Sequence, residues 1–214
     1  MDEDISAINA STRNEKIKNF FVNNRKRIIA ILSTLILIVV GYFAYEEISK
    51  RSKLKIADQY NNSKINFFSG NKSNIENEMV YIIKKKNKTY SPLALYFLLD
   101  NNIISSKDKI NNLFDIVIND IPLDKEIKNL IIYKKALYNS DSKNENDLLK
   151  MLNPIINSES IWQSHALYLL GEYFLSKNEK QKSKEFFEKI LITESSNSKI
   201  KLEAQRRLQR DLSE

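Results

Sequence analysis

The sequence contains no cysteine, so it can form neither a disulfide bond nor a thiolate metal site. It has only three glycines, Gly41, Gly70 and Gly171, and residues so far apart cannot form a glycine-rich phosphate-binding loop. Only three prolines interrupt its 214 residues. Because glycine and proline are the residues that most often end helices and form turns, their scarcity predicts an α-rich chain with short connections.

Residues that perform catalysis are also scarce. His165 is the only histidine, no metal-binding spacing includes it, and no serine lies in a G-x-S-x-G turn. Aspartate and glutamate are common, but they stand beside lysine in stretches that predict solvated helix faces. The sequence therefore predicts no catalytic residue, no metal or cofactor site and no small-molecule substrate, and it favours a protein without enzymatic activity.

The positive charge of the chain is unevenly distributed. The net charge is +7, and residues 1–55 carry ten basic and six acidic residues, which accounts for +4. Residues 56–214 carry 24 basic and 21 acidic residues, an excess of only three. Nucleic-acid binding needs a clustered basic face. None stands out in the sequence, so no nucleic-acid partner is expected.

Charge is absent from residues 28–45, IIAILSTLILIVVGYFAY, which also lack proline. As an α-helix rising about 1.5 Å per residue, this segment would be roughly 27 Å long, close to the ~30 Å hydrocarbon core of a bilayer. Isoleucine, leucine and valine would cover every face of that helix, whereas a surface helix of a soluble protein has a polar face. The segment predicts a single transmembrane helix.

Two other interpretations of residues 28–45 fit the sequence less well. A buried helix of a soluble domain would not need apolar residues on every face. A cleavable signal peptide has an apolar core of roughly 7–15 residues followed by small residues, whereas this segment ends in Tyr42, Phe43 and Tyr45 and then two glutamates. Aromatic residues that lead into charge are typical of a membrane interface, so we expect an anchor that is retained.

Basic residues predict the orientation of this anchor. Arg25, Lys26 and Arg27 directly precede the span, whereas Glu46 and Glu47 follow it. The positive-inside rule then places the amino-terminal end in the cytoplasm and the rest of the chain beyond the span on the other side of the membrane.

This orientation divides the chain into three regions. Residues 1–27 form a basic cytoplasmic segment, either a short amphipathic helix on the inner leaflet or a plain tail. Residues 28–45 form the transmembrane helix. Residues 46–214 form a helical-repeat domain outside the cytoplasm, and this region is long enough to bury its own core.

Apolar residues recur at helical spacing throughout the region after the span. A helix that continues out of the membrane should stop near Gly70, and another should start with Ser91 as its N-cap and Pro92 in its first turn. Pro154 should kink or end a helix. The predicted helices cover residues 46–69, 74–85, 92–102, 108–119, 124–139, 145–156, 160–176, 180–192 and 198–212, so the fold class is all-α.

Regularly spaced tyrosines indicate an internal repeat. Tyr96, Tyr133 and Tyr168 are 37 and 35 residues apart, close to the 34-residue period of tetratricopeptide repeats. Short links between successive predicted helices suit helical hairpins. The pattern predicts a tetratricopeptide-like solenoid of α-hairpins after the single N-terminal transmembrane helix, and a generic α-helical bundle is the alternative.

The last repeat shows the pattern best. If Leu170 and Gly171 are the leucine–glycine pair of its first helix, Ser183 falls on the small position and Phe187 on the aromatic position of its second helix. Because Gly171 has no side chain, the second helix should approach closely there. Trp162 is expected to pack between repeats.

The first helix of each hairpin would line the binding face of such a solenoid. Side chains three or four residues apart in the helix at 160–176 would face that groove, and tyrosines can bind an extended peptide by packing and by a hydroxyl hydrogen bond. The candidate partner-binding residues are Tyr96, Tyr133, His165, Tyr168, Glu172 and Leu175. Packing of the tyrosines between repeats is the alternative interpretation.

Three stretches of the chain resemble the ancillary SecYEG translocon subunit family (YfgM-like). The basic and aromatic start KIKNFF at 16–21 precedes a single span, as in that family. The stretch NKTYSPLALY at 87–96 is similar to the family's first well-formed repeat helix, and LLGEYFLSKNEKQKSKEFFEKI at 169–190 is similar to its last repeat. The sequence departs from the family where alanine is usual, as at Ser183.

The resemblance implies a bacterial inner-membrane protein with a periplasmic domain. Such a protein would associate with the SecYEG translocon and with a membrane-anchored chaperone of the PpiD type, and it would assist exported proteins. An envelope-assembly or cell-division scaffold with a tetratricopeptide-like domain is the alternative function. A structural anchor that oligomerises through its repeats is a further possibility, and a peptidoglycan hydrolase is disfavoured because no acid–base pair stands out.

Overall fold

The computed structural model describes residues 15–16 and 18–212, and this part of the chain contains helices and no strand. The predicted all-α class is confirmed at that level. Residues 18–23 are helical, while residues 1–14 and 17 of the predicted cytoplasmic segment lie outside the described residues. The helices that follow are α1 (Arg25–Phe68), α2 (Ile75–Lys84), α3 (Tyr90–Asp100), α4 (Lys107–Asp120), α5 (Lys125–Asn139), α6 (Glu145–Ile156), α7 (Gln163–Ser176), α8 (Lys180–Ile192) and α9 (Ser198–Asp211).

Helix α1 contains the predicted transmembrane segment. Its apolar side chains between residues 28 and 45 are almost all exposed, and Leu37 and Ile38 are 70% and 66% exposed. Within the described residues, α1 is the one helix that is long and apolar enough to cross a membrane. These features are compatible with a single-pass membrane protein.

The chain divides into two compact units, Met1–Lys55 and Ile56–Glu214, and the division falls within α1. The predicted end of this helix near Gly70 is confirmed, because α1 ends at Phe68. Gly70 follows with a φ of +92°, a left-handed conformation that glycine adopts without steric cost. The chain can therefore turn there and enter α2.

The helices of the second unit pack in chain order. Each helix from α2 to α9 contacts the next, and there are further contacts between α2 and α4, between α5 and α7, and between α7 and α9. Three clusters of buried apolar side chains follow the same order. The first joins the end of α1 to α2–α5, the second joins α5–α7, and the third joins α7–α9. Each fully buried leucine, isoleucine or phenylalanine contributes roughly 1.5–3 kcal/mol.

Gly171 allows α7 and α8 to pack closely. A Cβ atom at this position would lie 2.6–2.9 Å from three carbons of the Phe187 ring, which is closer than packed atoms tolerate. Ser183, one turn before Phe187, is fully buried and donates its hydroxyl hydrogen to the Gly171 carbonyl at 2.8 Å. The close approach predicted from Gly171, Ser183 and Phe187 is confirmed.

The predicted start of α3 was wrong in its capping residue. Helix α3 begins at Tyr90, and the buried Ser91 hydroxyl donates to the carbonyl of Ile82 in α2 instead of capping its own helix. Asn87 takes the capping role, because its side-chain oxygen accepts hydrogen bonds from the backbone N–H groups of Thr89 and Tyr90. Ser91 therefore joins two helices.

Other helix ends in the second unit lie within three residues of their predicted positions. Pro154 does not end α6, which continues to Ile156. Asn144 caps α6 by accepting a hydrogen bond from the backbone of Asp147 at 2.9 Å. Strong periodicity and local capping groups account for this agreement.

Candidate protein-binding surface

Side chains from the alternate helices α3, α5, α7 and α9, together with Trp162 just before α7, contact one another in three groups. Each is partly buried, so packing holds it in place while part of it reaches solvent. We call this set the aromatic strip, and its members are Tyr96, Tyr133, Lys134, Trp162, His165, Tyr168, Glu172 and Arg207.

The first contact of the aromatic strip joins α3 to α5. The ammonium group of Lys134 lies 4.3 Å from the centroid of the Tyr96 ring, a cation–π geometry that contributes about 0.5–2 kcal/mol. The Tyr96 hydroxyl is buried and makes no hydrogen bond with the described residues. Burial, together with the nearby Asp100 carboxylate, raises the pKa of Tyr96 to about 12, so its hydroxyl stays neutral.

The second contact joins α5 to the start of α7 through three rings. Tyr133 stacks on Trp162 with ring centroids 6.1 Å apart and planes 20° apart. His165 lies one turn further along, 5.1 Å from Trp162 and 6.0 Å from Tyr133. Trp162 also packs against the second core cluster. The rings form a rigid aromatic surface.

Burial in this cluster changes the titration of His165. Desolvation lowers the pKa of His165 below its ordinary value of 6.5, and the backbone of Ile161, one turn earlier, partly opposes this effect. The Nδ1 atom is buried and makes no well-aligned hydrogen bond within the described part of the chain. The imidazole is therefore neutral near pH 7.

The third contact joins α7 to α9 through an ion pair. The Arg207 guanidinium contacts both carboxylate oxygens of Glu172, at 2.6 and 2.7 Å. The same guanidinium donates to Asp211 at 2.9 Å. Burial raises the pKa of Tyr168, whose hydroxyl lies beside Glu172 and Arg207. Glu172 is thus engaged by the last described helix.

Leu175 is partly buried, as the other five predicted residues are. It packs against the third core cluster, which includes Phe187 and Ala204. The Tyr168 ring also packs on Phe187, with centroids 5.3 Å apart. Tyr168 and Leu175 therefore both pack against the third core cluster and both keep part of their surface exposed.

Sequence reasoning did not identify Lys134 and Arg207 as members of this surface. The chain has 34 lysines and arginines, so a single cation carries little signal in the sequence. Arg207 and Asp211 are four residues apart, which suits an ion pair on one helix face, but this spacing does not indicate Glu172 on another helix. Tertiary packing was needed to bring these residues together.

Among residues 15–16 and 18–212, no group of three or more histidine, aspartate or glutamate side chains is placed to hold a metal ion. A hollow of about 330 Å³ borders Glu172 and Tyr173 in α7 and Asp141 after α5. The aromatic strip itself combines rings, cations and one carboxylate, which suits noncovalent contact with another protein.

No protein-family model matches the chain. No curated protein and no solved structure matches it either. The chemistry of the aromatic strip therefore has to be inferred from its own residues and contacts.

Proposed function

We propose that this protein is a membrane-anchored adaptor without enzymatic activity, which binds other proteins through its aromatic strip. The observation that carries this proposal is the succession of half-buried aromatic and charged side chains across α3, α5, α7 and α9. Protein interfaces are enriched in tyrosine, tryptophan and arginine, because these side chains are large, fairly rigid and partly polar.

The repeat interpretation supports the same function. The second unit would be a solenoid of three tetratricopeptide-like hairpins, α3–α4, α5–α6 and α7–α8, with α9 as a terminal cap. Tyr96, Tyr133 and Tyr168 lie in the first helix of each hairpin and are all partly buried. The Gly171–Phe187 contact suits the close packing within a tetratricopeptide hairpin. In such solenoids, the first helices form the binding face.

The resemblance to the ancillary translocon subunit family suggests which proteins bind. The candidate span would place the amino-terminal end in the cytoplasm and the repeat domain in the periplasm of a bacterial cell. There the adaptor would associate with the SecYEG translocon and a PpiD-type chaperone and assist exported proteins. The basic residues before the span support this orientation.

Site-specific crosslinking tests the proposed partners. Tyr96, Tyr133 and Tyr168 can each be replaced by a photoreactive phenylalanine analogue, which keeps an aromatic ring at the position. The matched control carries the analogue at Lys150, which is exposed on α6 outside the aromatic strip. Irradiation of intact bacteria should crosslink the three strip positions, but not position 150, to translocon subunits and the PpiD-type chaperone.

The crosslinked proteins also discriminate between the two functions considered. Crosslinks from the strip to cell-division or envelope-assembly proteins would support the scaffold alternative instead. Equal crosslinking from position 150 would show that the aromatic strip is not a binding surface. Protease added to spheroplasts tests the orientation, because a periplasmic second unit should be digested without lysis and a cytoplasmic one should be protected.

A further inference from the structure

The outward side of α5 carries apolar side chains where a surface helix usually has polar ones. Four residues, spaced three, four and three apart, share this helix face: Ile127, Leu130, Lys134 and Leu137. Ile127 and Leu137 are 43% and 48% exposed, and Leu130 and Lys134 are partly exposed. None of the three apolar side chains belongs to a core cluster. We call these four residues the α5 seam.

The buried side of α5 is correspondingly polar. The two asparagines that are buried in the described part of the chain, Asn129 and Asn139, both lie on this helix. The side-chain nitrogen of Asn129 is buried without a hydrogen bond to the described residues, which is destabilising. Among α2–α9, only α5 has two exposed aliphatic side chains. A helix that met only water on its outward side would show the opposite arrangement, so this distribution favours a partner on that side.

Lys134 places a positive charge within the α5 seam. Its ammonium group lies over the Tyr96 ring, and it forms no ion pair with a carboxylate of the described residues. The adjacent Lys135 differs, because it pairs with Asp115 at 2.7 Å. Interfaces bring opposite charges together, so the α5 seam favours a partner with a carboxylate that can reach Lys134.

The order of residues in the α5 seam matches the contact face of a helix pair. In two-stranded coiled coils, contact residues alternate at spacings of three and four, with isoleucine favoured at the first position and leucine at the second. A single lysine at a first position fixes the register of the pair. Ile127, Leu130, Lys134 and Leu137 follow this order.

An extended chain would fit the same surface less well. The α5 seam offers apolar side chains and one ammonium group, and the main-chain groups of α5 are hydrogen-bonded within the helix. An extended chain laid on this surface would leave most of its own N–H and C=O groups without partners, which is costly on burial. A bound helix satisfies those groups within itself.

A second copy of this chain would not supply the carboxylate from its own α5. The α5 seam contains no acidic residue, and Glu126 is the one acidic residue of this helix. The Glu126 carboxylate already accepts hydrogen bonds from the Ser160 hydroxyl at 2.7 Å and from the Ile161 N–H at 3.2 Å. Pairing of two copies through their seams would therefore bring no free α5 carboxylate to Lys134.

We infer that the α5 seam binds an amphipathic helix of another protein, with apolar residues three and four apart and an acidic residue facing Lys134. This inference rests on the proposed adaptor function, because the seam shares Lys134 with the aromatic strip, and it names the kind of segment that is bound. Tyr96 beside Lys134, and the exposed Ile161 beside Glu126, would contact the flanks of the bound helix.

Designed peptides test the inference on the full chain in phosphatidylcholine nanodiscs. Fluorescence anisotropy measures binding, and empty nanodiscs give the background. The glutamate peptide is a labelled three-heptad helix with isoleucine and leucine on its contact face and one glutamate at the central contact position. The lysine peptide has lysine in place of that glutamate. The alternating peptide has the composition of the glutamate peptide, with apolar residues at every second position. The glutamate peptide should bind more tightly than either of the others by about tenfold or more.

Matched variants locate the binding. Ile127→Gln/Leu137→Gln should weaken binding of the glutamate peptide by about tenfold or more, because two apolar contacts are lost. Ile192→Gln, at an exposed isoleucine of α8 outside the α5 seam, should bind as the unaltered chain does. Lys134→Glu should reverse the preference and bind the lysine peptide more tightly, a result that loss of folding would not produce. Circular dichroism should show equal helicity in all variants.

Three results would overturn the inference. The glutamate peptide could bind no better than the alternating peptide, Ile127→Gln/Leu137→Gln could bind it as tightly as Ile192→Gln does, or Lys134→Glu could keep the preference of the unaltered chain. Dimers of the unaltered chain that Ile127→Gln/Leu137→Gln separates would assign the α5 seam to a second copy instead.

The two proposals can fail separately. If the peptides do not bind but Tyr96, Tyr133 and Tyr168 still crosslink to partner proteins, the adaptor function stands and the inference about the bound helix is wrong. If the glutamate peptide binds at the α5 seam but none of the three positions crosslinks to a protein in bacteria, the reverse holds.

Discussion

Isoleucine and leucine occupy opposite environments in the two units of this protein. Around Leu37 in the first unit they point outward from α1 and are exposed, whereas Ile82 and Ile83 in the second unit are fully buried. The residue types and the helical conformation are the same in both places. What differs is the source of the apolar surroundings that these side chains require.

In the second unit, neighbouring helices provide those surroundings. Each of these helices buries apolar side chains against its neighbours, and the three core clusters follow one another in chain order. Residues 28–45 have no polar face to turn toward water, and a contiguous exposed surface of this kind marks a site of interaction. A lipid bilayer would provide the missing apolar surroundings, because a helix already satisfies its own backbone hydrogen bonds.

The largest expected effects come from placing the same charges in both environments. Leu37→Arg/Ile38→Arg should reduce the fraction of the protein that resists alkaline extraction from membranes, since each arginine near mid-span opposes insertion by about 2.5–3.5 kcal/mol. Ile82→Arg/Ile83→Arg should instead abolish cooperative unfolding. The free-energy cost of burying two unpaired charges exceeds the free energy of unfolding of a typical domain. Membrane fractionation and circular dichroism measure the two effects.

Each pair of arginines should change one property only: retention in the membrane for Leu37→Arg/Ile38→Arg, and cooperative unfolding for Ile82→Arg/Ile83→Arg. Leu37→Ala/Ile38→Ala serves as the control and should stay in the membrane fraction. If Leu37→Arg/Ile38→Arg remained as resistant to extraction as this control, residues 28–45 would not be a membrane span. If the same arginines destroyed cooperative unfolding in detergent, these residues would be part of the folded core.

Replacing one glycine in each unit by alanine should give a smaller difference in the free energy of unfolding. Gly171→Ala should lower the free energy of unfolding by about 1–3 kcal/mol, since the new methyl group would overlap the Phe187 ring. Gly41→Ala meets no atom within 4 Å in α1 and should leave the second unit's unfolding unchanged. Urea unfolding of the full chain in micelles compares the two variants.

The cause of the Gly171 effect can be checked by a compensating change. Phe187→Leu removes the ring atoms that the methyl group would meet, so it should make the addition of Gly171→Ala less destabilising. If Gly171→Ala lowered the free energy of unfolding equally in the Phe187 and Phe187→Leu backgrounds, overlap with the ring would not be the reason.

The smallest expected effect is the pH dependence contributed by His165. Burial lowers the pKa of His165 in the folded protein, so the unfolded chain binds a proton more strongly. The free energy of unfolding should therefore decrease as pH falls through about 6.5, and this contribution should be absent well above that pH.

Replacing the imidazole isolates that contribution. His165→Phe keeps a ring beside Trp162 but does not titrate. Urea unfolding at about pH 5.5 and about pH 7.5 should show a larger loss of stability on acidification for the unaltered chain than for the variant. An equal or larger loss in the variant would contradict the direction assigned to His165.

Local signals predicted much of the helical structure. The period of apolar residues located every helix of the second unit to within a few residues, and the scarcity of glycine and proline indicated the all-α class. Capping was less predictable, because Ser91 has the right residue type and position for an N-cap. Its hydroxyl bonds to Ile82 in a neighbouring helix, a contact that exists only after the helices pack.

The candidate surface was predictable only in part. Repeat spacing identified Tyr96, Tyr133 and Tyr168, and the structure shows each of them partly buried on an alternate helix. It also adds Lys134 and Arg207, because a side chain's surroundings depend on the neighbouring helix. Their role in binding partners stays a prediction.

The amino-acid sequence alone determined where helices form and which of them is long and apolar enough to cross a membrane, because both depend on residue types at short range. It also determined the close approach at Gly171, since only a missing side chain leaves that space. Tertiary structure alone decided that Lys134 meets Tyr96 and that Arg207 pairs with Glu172. Those contacts join residues distant in the chain, and their geometry is set by how whole helices pack.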